Sequence, residues 1–280
     1  MAHLVNPSVA NEAVRRPARL LALDVDGTLL TSAETLSPRT RDALHRAEAD
    51  GWHVVVVTGR PLSVALPVVH TLGLGEYVVA SNGATIASVP GGAILYQSSL
   101  PGALVAEAID RARRAVPGVG CAVSTPRGFF RETGFGAVAP LSEAEGELVD
   151  DARPDPDESV QSAVLFAPDF DALVLQGRVA AVLPPGLAVS PSGLRSSVEL
   201  TAPGIHKASG LARLCELVGV AQRDVVAFGD GFNDHEMLAW AGLGVAMGNA
   251  HADTKAVADA VTASNDDDGV ALVVERLLGL

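Results

Sequence analysis

The feature of this 280-residue sequence that most constrains its fold is an alternation of short apolar runs with helical segments. A complete helix signature separates the first two runs, with Ser37 as N-cap, Pro38 in the first turn and Gly51 at the end. Strands that alternate with helices form a parallel sheet that is buried on both faces. We therefore predict an α/β fold whose strands are the runs at residues 19–25, 53–60, 77–84, 224–230 and 243–247.

The alternation stops at about residue 86 and resumes at about residue 199. Gly and Pro are frequent in between and the strand candidates are short, which is typical of an α+β insert. An insert of about a hundred residues is large enough to be a domain. We predict a core domain of residues 19–85 and 199–280, an inserted domain of residues 86–198 and a loose tail at residues 1–18.

Composition and charge exclude several classes of protein. The formal net charge of −13 argues against a nucleic-acid surface, which needs a basic patch. No apolar run approaches the ~20 residues of a membrane helix, and the N-terminal segment lacks the apolar part of a signal peptide. Cys121 and Cys215 form no CxxC pattern, so reduced thiols are expected. We expect a cytoplasmic protein without nucleic-acid or membrane partners, and the sequence leaves its oligomeric state open.

Polar residues follow four of the predicted strands. Each of these turns, taken alone, is typical of an ordinary turn or helix cap. Ligands bind beyond the carboxyl ends of parallel strands, where the four turns would meet. Together the turns place carboxylates, a hydroxyl, an amide and backbone N–H groups at one edge: Asp24, Asp26 and Gly27; Thr58, Gly59 and Arg60; Ser81, Asn82 and Gly83; and Asp230, Asn233 and Asp234.

The carboxylates at this edge predict a cation site. Asp24 and Asp26 would repel each other unless a cation or a shared task holds them together. Hard oxygen ligands of this kind suit Mg²⁺, and no His or Cys cluster suits zinc. Lys207 and Lys255 are the only lysines among 20 basic residues. Lys207 begins a predicted helix, where its compact charge can offset the carboxylates and hold a phosphate oxygen, whereas Lys255 is interpreted as a solvated surface residue.

Four segments resemble, in order, the four motifs of the haloacid dehalogenase (HAD) superfamily of phosphotransferases. They are DVDGT at 24–28, VVVTGR at 55–60, GIHKASGL at 204–211 and GDGFND at 229–234. The SNGA turn at 81–84 and the size of the insert resemble the Cof-type branch, which carries a C2 cap. The resemblance implies a Rossmann-like parallel-sheet core with an inserted α+β cap domain.

By this resemblance, Asp24 is the nucleophile that becomes an aspartyl-phosphate. Asp26 is the general acid that protonates the leaving alkoxide and then the base for the hydrolytic water. Asp24, the backbone carbonyl of Asp26 and Asp230 resemble Mg²⁺ ligands, and Asp234 resembles a further ligand or a neighbour of the ion. The implied phosphate-binding residues are Thr58, Lys207 and Asn233, with Gly59, Arg60 and Asn82 in supporting roles.

The implied reaction is Mg²⁺-dependent hydrolysis of a small phosphorylated metabolite. Sugar phosphates are the class that the branch implies, and nucleotide- or cofactor-derived phosphates are also open. Two other functions are compatible with the same residues. The first is a phosphomutase built on the same site, and the second is a non-catalytic binding or regulatory module.

The insert is expected to close over the site as a lid and to determine specificity. Candidate substrate contacts are Arg127, Arg131 and Arg195, each near a predicted strand end or turn. His206 is interpreted as incidental, because Asp26 already supplies both acid and base. Three phenylalanines are expected in the core of the cap rather than at the substrate: Phe129, Phe130 and Phe135.

Overall fold

The fold is that of a computed structural model, which describes residues 19–138, 146–192, 194 and 196–280. The tail predicted at residues 1–18 and the candidate contact Arg195 lie outside the described residues. Among the described residues, no helix is both long and apolar enough to cross a membrane.

The elements follow one another in three groups along the chain. The first group comprises β1 (Arg19–Leu23), α1 (Pro38–Ala49), β2 (Trp52–Val57), α2 (Leu62–Leu72), β3 (Tyr77–Ala80), β4 (Thr85–Ser88) and β5 (Ile94–Gln97). The second comprises β6 (Leu100–Pro101), α3 (Gly102–Ala115), β7 (Gly120–Thr125), β8 (Gly128–Glu132), β9 (Glu147–Val149), β10 (Ser159–Val160), β11 (Ser162–Phe166), α4 (Ala172–Ala180), β12 (Ala188–Pro191) and β13 (Ser197–Thr201). The third comprises α5 (Lys207–Val218), β14 (Val225–Gly229), α6 (His235–Trp240), β15 (Leu243–Ala246), α7 (Ala252–Val257), β16 (Ala260–Val261) and α8 (Gly269–Leu278).

In the described part of the chain, eight strands form the core sheet in the order β16-β15-β14-β1-β2-β3-β4-β5. The strands from β16 to β3 run parallel, which confirms the predicted α/β core. The central strand β1 is buried on both faces. Leu21 and Leu23 pack with α1 and α8, and Leu20 and Ala22 pack with α5. A strand covered on both sides has no polar face, which explains its uninterrupted apolar run.

The domain boundary predicted between residues 85 and 86 is wrong, because the core sheet continues beyond it. The chain reverses after β3 through the turn Ser81–Gly83, in which Asn82 has a φ of +45°. It then returns as β4, which pairs antiparallel with β3, and β5 pairs antiparallel with β4. Residues 94–97, which lie within the predicted insert, therefore form an edge strand of the core sheet.

The cap is an α+β domain, as predicted. Its described residues form a six-stranded sheet in the order β12-β13-β11-β7-β8-β9, and β6 pairs separately with β10. Helices α3 and α4 pack on one face of the large sheet. The other face contacts the core through Val64 of α2. The boundary predicted between residues 198 and 199 is also wrong, because it falls inside β13, which pairs with β11 and β12 as far as Thr201.

Candidate active site

The carboxyl ends of β1, β2, β3 and β14 meet at one edge of the core sheet. The backbone N–H of Asp24 donates to the carbonyl of Phe228 at 3.1 Å, which continues the pairing of β1 with β14. The backbone N–H of Thr58 likewise donates to the carbonyl of Val79 at 2.8 Å. Because neighbouring parallel strands end at the same level, the structure brings the predicted polar turns together facing the cap.

Lys207 is the cation at the centre of this edge. It is completely buried in the first turn of α5, and its Nζ donates to Oδ1 of Asp24 at 2.5 Å and to Oδ1 of Asp234 at 2.6 Å. His206 caps the helix: its Nδ1 accepts from the backbone N–H of Ser209 at 3.3 Å, and Ser209 Oγ accepts from its N–H at 3.0 Å. His206 therefore positions Lys207 by fixing the start of the helix.

Asp24, Asp230 and Asp234 form the acidic group of the site. One carboxylate oxygen from each lies within 4.8 Å of the others. Burial raises the pKa of Asp24 well above its usual range; Lys207 opposes this rise, and the neighbouring carboxylates add to it. Burial, with Asp234 close by, raises the pKa of Asp230 to about 6. Carboxylate oxygens crowded in this way are the donor set that Mg²⁺ prefers, so these residues fit the predicted ion.

Asp234 is the most firmly held member of this group. It is completely buried, and its Oδ2 accepts from the backbone N–H groups of Asp230 at 3.0 Å and Gly231 at 2.9 Å. Its other oxygen accepts from Lys207. Asp234 therefore fixes both the turn after β14 and the lysine, which agrees with a place beside the ion.

Gly27 makes room for Asp230. It has a φ of +78°, and a Cβ at this position would lie 2.4 Å from Oδ2 of Asp230. Thr28 Oγ1 donates to Oδ1 of Asp230 at 3.0 Å. Asn249, which the sequence reasoning missed, donates to the carbonyl of Gly27 at 2.7 Å and lies 3.4 Å from Oδ2 of Asp230. Its position shortly after β15, at the same edge of the sheet, was the signal that could have identified it.

Asp26 lies outside the acidic group and forms an ion pair with Arg60. The guanidinium donates from Nε to Oδ2 at 2.9 Å and from Nη2 to Oδ1 at 2.7 Å. The side chain of Asp26 is 46% exposed, so this carboxylate faces the cavity rather than the protein interior. A bidentate pair of this kind fixes the orientation of both side chains.

The predicted phosphate-binding residues divide into two layers. Gly59, Arg60 and Asn233 line the cavity, whereas Thr58, Lys207 and Asn82 lie behind its wall and are buried. Thr58 Oγ1 accepts from the backbone N–H of Arg60 at 3.1 Å, which positions the turn. A Cβ on Gly59 would lie 2.7 Å from the carbonyl oxygen of Ser192, so glycine allows the cap to approach here.

Asn82 connects the core to the cap through hydrogen bonds. Its Oδ1 accepts from Nδ2 of Asn233 at 2.9 Å, and its Nδ2 donates to Glu199 of β13. Glu199 is buried and also accepts from Oγ of Ser162 at 2.7 Å. Both polar atoms of Asn82 are therefore occupied by protein partners, and it positions Asn233 instead of facing the cavity. Nothing in the local sequence pattern singles out Glu199.

A cavity of about 100 Å³ separates the acidic edge from the cap. Its core side includes Asp24, Asp26 and Asn233. Phe129 and Phe135 are buried in a hydrophobic cluster, as expected for cap core residues, but they also border the cavity. The rings that line the cavity are Phe129 and Phe135, whereas Phe130 packs on the opposite face of β8 against the cap core.

Arg127 and Arg131, the two predicted substrate contacts that the structure describes, do not line this cavity. Arg127 donates from Nε and Nη2 to Glu158, both at 2.8 Å, on the surface of the cap. Arg131 contributes no lining atom, and its buried Nε has no hydrogen-bond partner among the described residues. Neither of these two arginines therefore contributes charge to the described lining of the cavity.

Comparison with known proteins agrees with the motifs. The family model for haloacid dehalogenase-like hydrolases matches residues 21–274. The chain is 31% identical to 5-amino-6-(5-phospho-D-ribitylamino)uracil phosphatase YitU of Bacillus subtilis, over 93% of this chain and 98% of YitU. It is 32% identical to a phosphoglycolate phosphatase of Natronomonas pharaonis, over 91% and 96% of the two chains. The structure matches the HAD subclass IIB sugar phosphatase BT4131 with a TM-score of 0.79 at 26% identity, covering 94% of this chain and 99% of that one. The chain therefore belongs to the haloacid dehalogenase-like hydrolases, as a Cof-type phosphatase.

Proposed function

We propose that this protein is a Mg²⁺-dependent phosphatase that hydrolyses small phosphorylated metabolites through an aspartyl-phosphate on Asp24. The observation that carries the proposal is the buried ion pair of Lys207 with Asp24, a carboxylate that lines the cavity. A carboxylate is a nucleophile only while it is ionised, and Lys207 stabilises that form against burial. The relatives named above are phosphatases of a phosphoribitylamino-uracil and of phosphoglycolate, which supports the substrate class without selecting a member.

In the first half-reaction, Asp24 attacks phosphorus while the bond from phosphorus to the ester oxygen breaks. Lys207 holds Oδ1 of Asp24 at 2.5 Å and so orients the attacking carboxylate. Gly59 lines the cavity, where its backbone N–H can stabilise charge on the phosphoryl oxygens, and Asn233 lines it with an amide that already donates to Asn82. A Mg²⁺ ion held by Asp24 and Asp230 would supply further positive charge to those oxygens.

Asp26 performs the proton transfers. Once released from Arg60, it takes up a proton from solvent and gives it to the leaving alkoxide, and in the second half-reaction it takes a proton from the water that attacks the aspartyl-phosphate. Both of its oxygens are bound to Arg60, so each transfer requires this ion pair to separate. A phosphoryl group in the cavity competes for the guanidinium, because Arg binds phosphate oxygens in the same bidentate way. Arg60 thereby couples the arrival of substrate to the release of Asp26.

The test is phosphate release from a panel of phosphate esters, measured with Mg²⁺ and with EDTA. The wild-type protein is expected to release phosphate only with Mg²⁺, and Asp24→Asn is expected to reduce release to the background rate. The matched control is Asp157→Asn, at an exposed aspartate of the cap, which should behave as wild type. Undiminished release by Asp24→Asn, or in EDTA, would contradict the proposal.

The same assay separates the alternatives. A phosphomutase needs a bisphosphorylated sugar as activator and gives little net phosphate release. A non-catalytic module binds phosphate esters without turnover. The panel includes sugar phosphates because the Cof-type branch implies them, together with nucleotide- and cofactor-derived phosphates.

A further inference from the structure

We infer that the cap side of the cavity binds a planar aromatic or heteroaromatic ring in the leaving group of the substrate, in preference to the hydroxyl groups of a sugar. The inference rests on the proposed function, because it concerns the part of the ester that Asp26 protonates. It depends on the side chains that face Asp24 and Asp26 across the cavity.

Most of those side chains, among the described residues, are apolar. Val64 comes from α2 of the core, and the cap contributes Phe129, Phe135, Val164 and Leu194. They form one hydrophobic cluster, in which Phe135 is only 2% exposed. A surface of this kind stabilises an apolar ring by removing it from water.

Ser192 is the polar side chain that the cap contributes to the described lining of the cavity. Its hydroxyl group is already hydrogen-bonded within the cap. Ser192 Oγ lies 2.5 Å from Oγ of Ser197 and accepts from the backbone N–H of Leu194 at 3.1 Å. Among the cap side chains in the described lining, sugar hydroxyls that enter this side would lose their bonds to water without gaining a free protein partner. Burial of unpaired hydroxyl groups is unfavourable, so the described wall discriminates against a polyol.

The phenylalanines of the wall pack against one another. Phe135 packs edge-on between Phe129, at 5.8 Å between ring centroids, and Phe166, at 5.3 Å. Rings held in this geometry present fixed edges and faces to a further aromatic ring. Because the rings brace one another, little side-chain freedom is lost when a planar group packs on them.

The cavity is smaller than an aromatic ring requires. Its volume of about 100 Å³ is smaller than the roughly 150 Å³ that holds a benzene molecule in a protein interior. The cap and the core must therefore separate slightly to admit a ring, and a bulkier leaving group requires a larger separation. Opening and closing of a lid is the usual way in which such sites admit substrate.

The experiment compares kcat/KM for pyridoxine 5′-phosphate and glucose 6-phosphate. Both are esters of a primary alcohol, so the bond that breaks is similar and the leaving groups differ mainly beyond the CH₂ group. We expect the wild-type protein to prefer the pyridoxine ester by about 10-fold or more. Phe135→Leu keeps the wall apolar but removes a ring, and is expected to reduce this preference about 3- to 10-fold.

Phe130→Leu is the matched control, because Phe130 lies on the same strand as Phe129 but faces the cap core. It should leave the preference unchanged, and circular dichroism should show that both variants are folded. Equal or faster hydrolysis of glucose 6-phosphate by the wild type would overturn the inference and leave the proposed function intact. The inference would also be overturned if Phe135→Leu and Phe130→Leu had the same ratio of kcat/KM for the two esters. Phosphate release from neither ester, nor from any other on the panel, would overturn both proposals.

Discussion

Replacing Glu199 with glutamine is expected to stabilise the protein at pH 8 and to leave its stability at pH 5 nearly unchanged. Glu199 is 1% exposed in the middle of the cap sheet. Its carboxylate accepts hydrogen bonds from Ser162 of the cap and from Asn82 of the core. Burial raises the pKa of Glu199 to about 7, and these bonds and Lys207 offset only part of the rise.

The magnitude follows from the difference between the folded and unfolded pKa values. The carboxyl group has a pKa of 4.5 when unperturbed and about 7 in the folded protein. Each pKa unit corresponds to about 1.4 kcal/mol, so the ionised group destabilises the fold by about 3 kcal/mol. The folded state binds the proton more tightly than the unfolded chain. Stability therefore falls as pH rises from about 4.5 through about 7, and the full loss is present at pH 8.

Glutamine can replace the protonated acid without breaking the hydrogen bonds. Its Oε1 can accept from Asn82, and its Nε2 can donate to the hydroxyl of Ser162. The free energy of unfolding is measured by urea denaturation at pH 5 and pH 8. We expect Glu199→Gln to gain about 3 kcal/mol over the wild type at pH 8 and less than about 1 kcal/mol at pH 5, and Glu216→Gln, at an exposed glutamate, to show no such gain. Equal destabilisation by Glu199→Gln at both pH values would refute this reasoning.

Two further predictions concern the acidic group. Lys207→Met leaves buried carboxylates without their cation and is expected to lower the free energy of unfolding by about 3–5 kcal/mol in EDTA. An equal loss in Lys255→Met, at a partly exposed lysine, would contradict this. Gly27→Ala places a Cβ 2.4 Å from Oδ2 of Asp230 and is expected to weaken Mg²⁺ binding, measured by calorimetry, and to reduce phosphate release. Gly118→Ala, which has a φ of +74° and open space around it, controls for backbone strain and should leave Mg²⁺ binding unaffected.

Much of the site could be predicted from the sequence because its residues occupy positions that local patterns define. Asp24, Thr58 and Asp230 directly follow apolar runs, and Lys207 begins a helix. Parallel strands end at a common edge, so residues that follow them are neighbours whatever their separation in sequence. The prediction that these groups meet therefore needed only the order of strands and helices.

The layer that supports the site could not be predicted in this way. Glu199 lies inside a strand of another domain and reaches Asn82 only because the cap sheet packs over the core. The strand β5 lies within the stretch assigned to the insert, and its pairing with β4 depends on the reversal after β3. A local pattern identifies a strand without specifying the sheet that it joins.

The sequence by itself determined the parallel core, the inserted cap and the chemical character of the edge, because these follow from hydrophobic periodicity and from residues at strand ends. Only the tertiary structure decided which side of the cap faces that edge. Successive side chains of β8 point to opposite faces of the cap sheet, so Phe129 and Phe130 lie on different faces. The sequence does not say which of these faces contacts the core domain. The packing of α3 and α4 on one face turned Phe129, with Phe135, toward Asp24. Specificity therefore depends on contacts between domains, which a pattern within one strand does not contain.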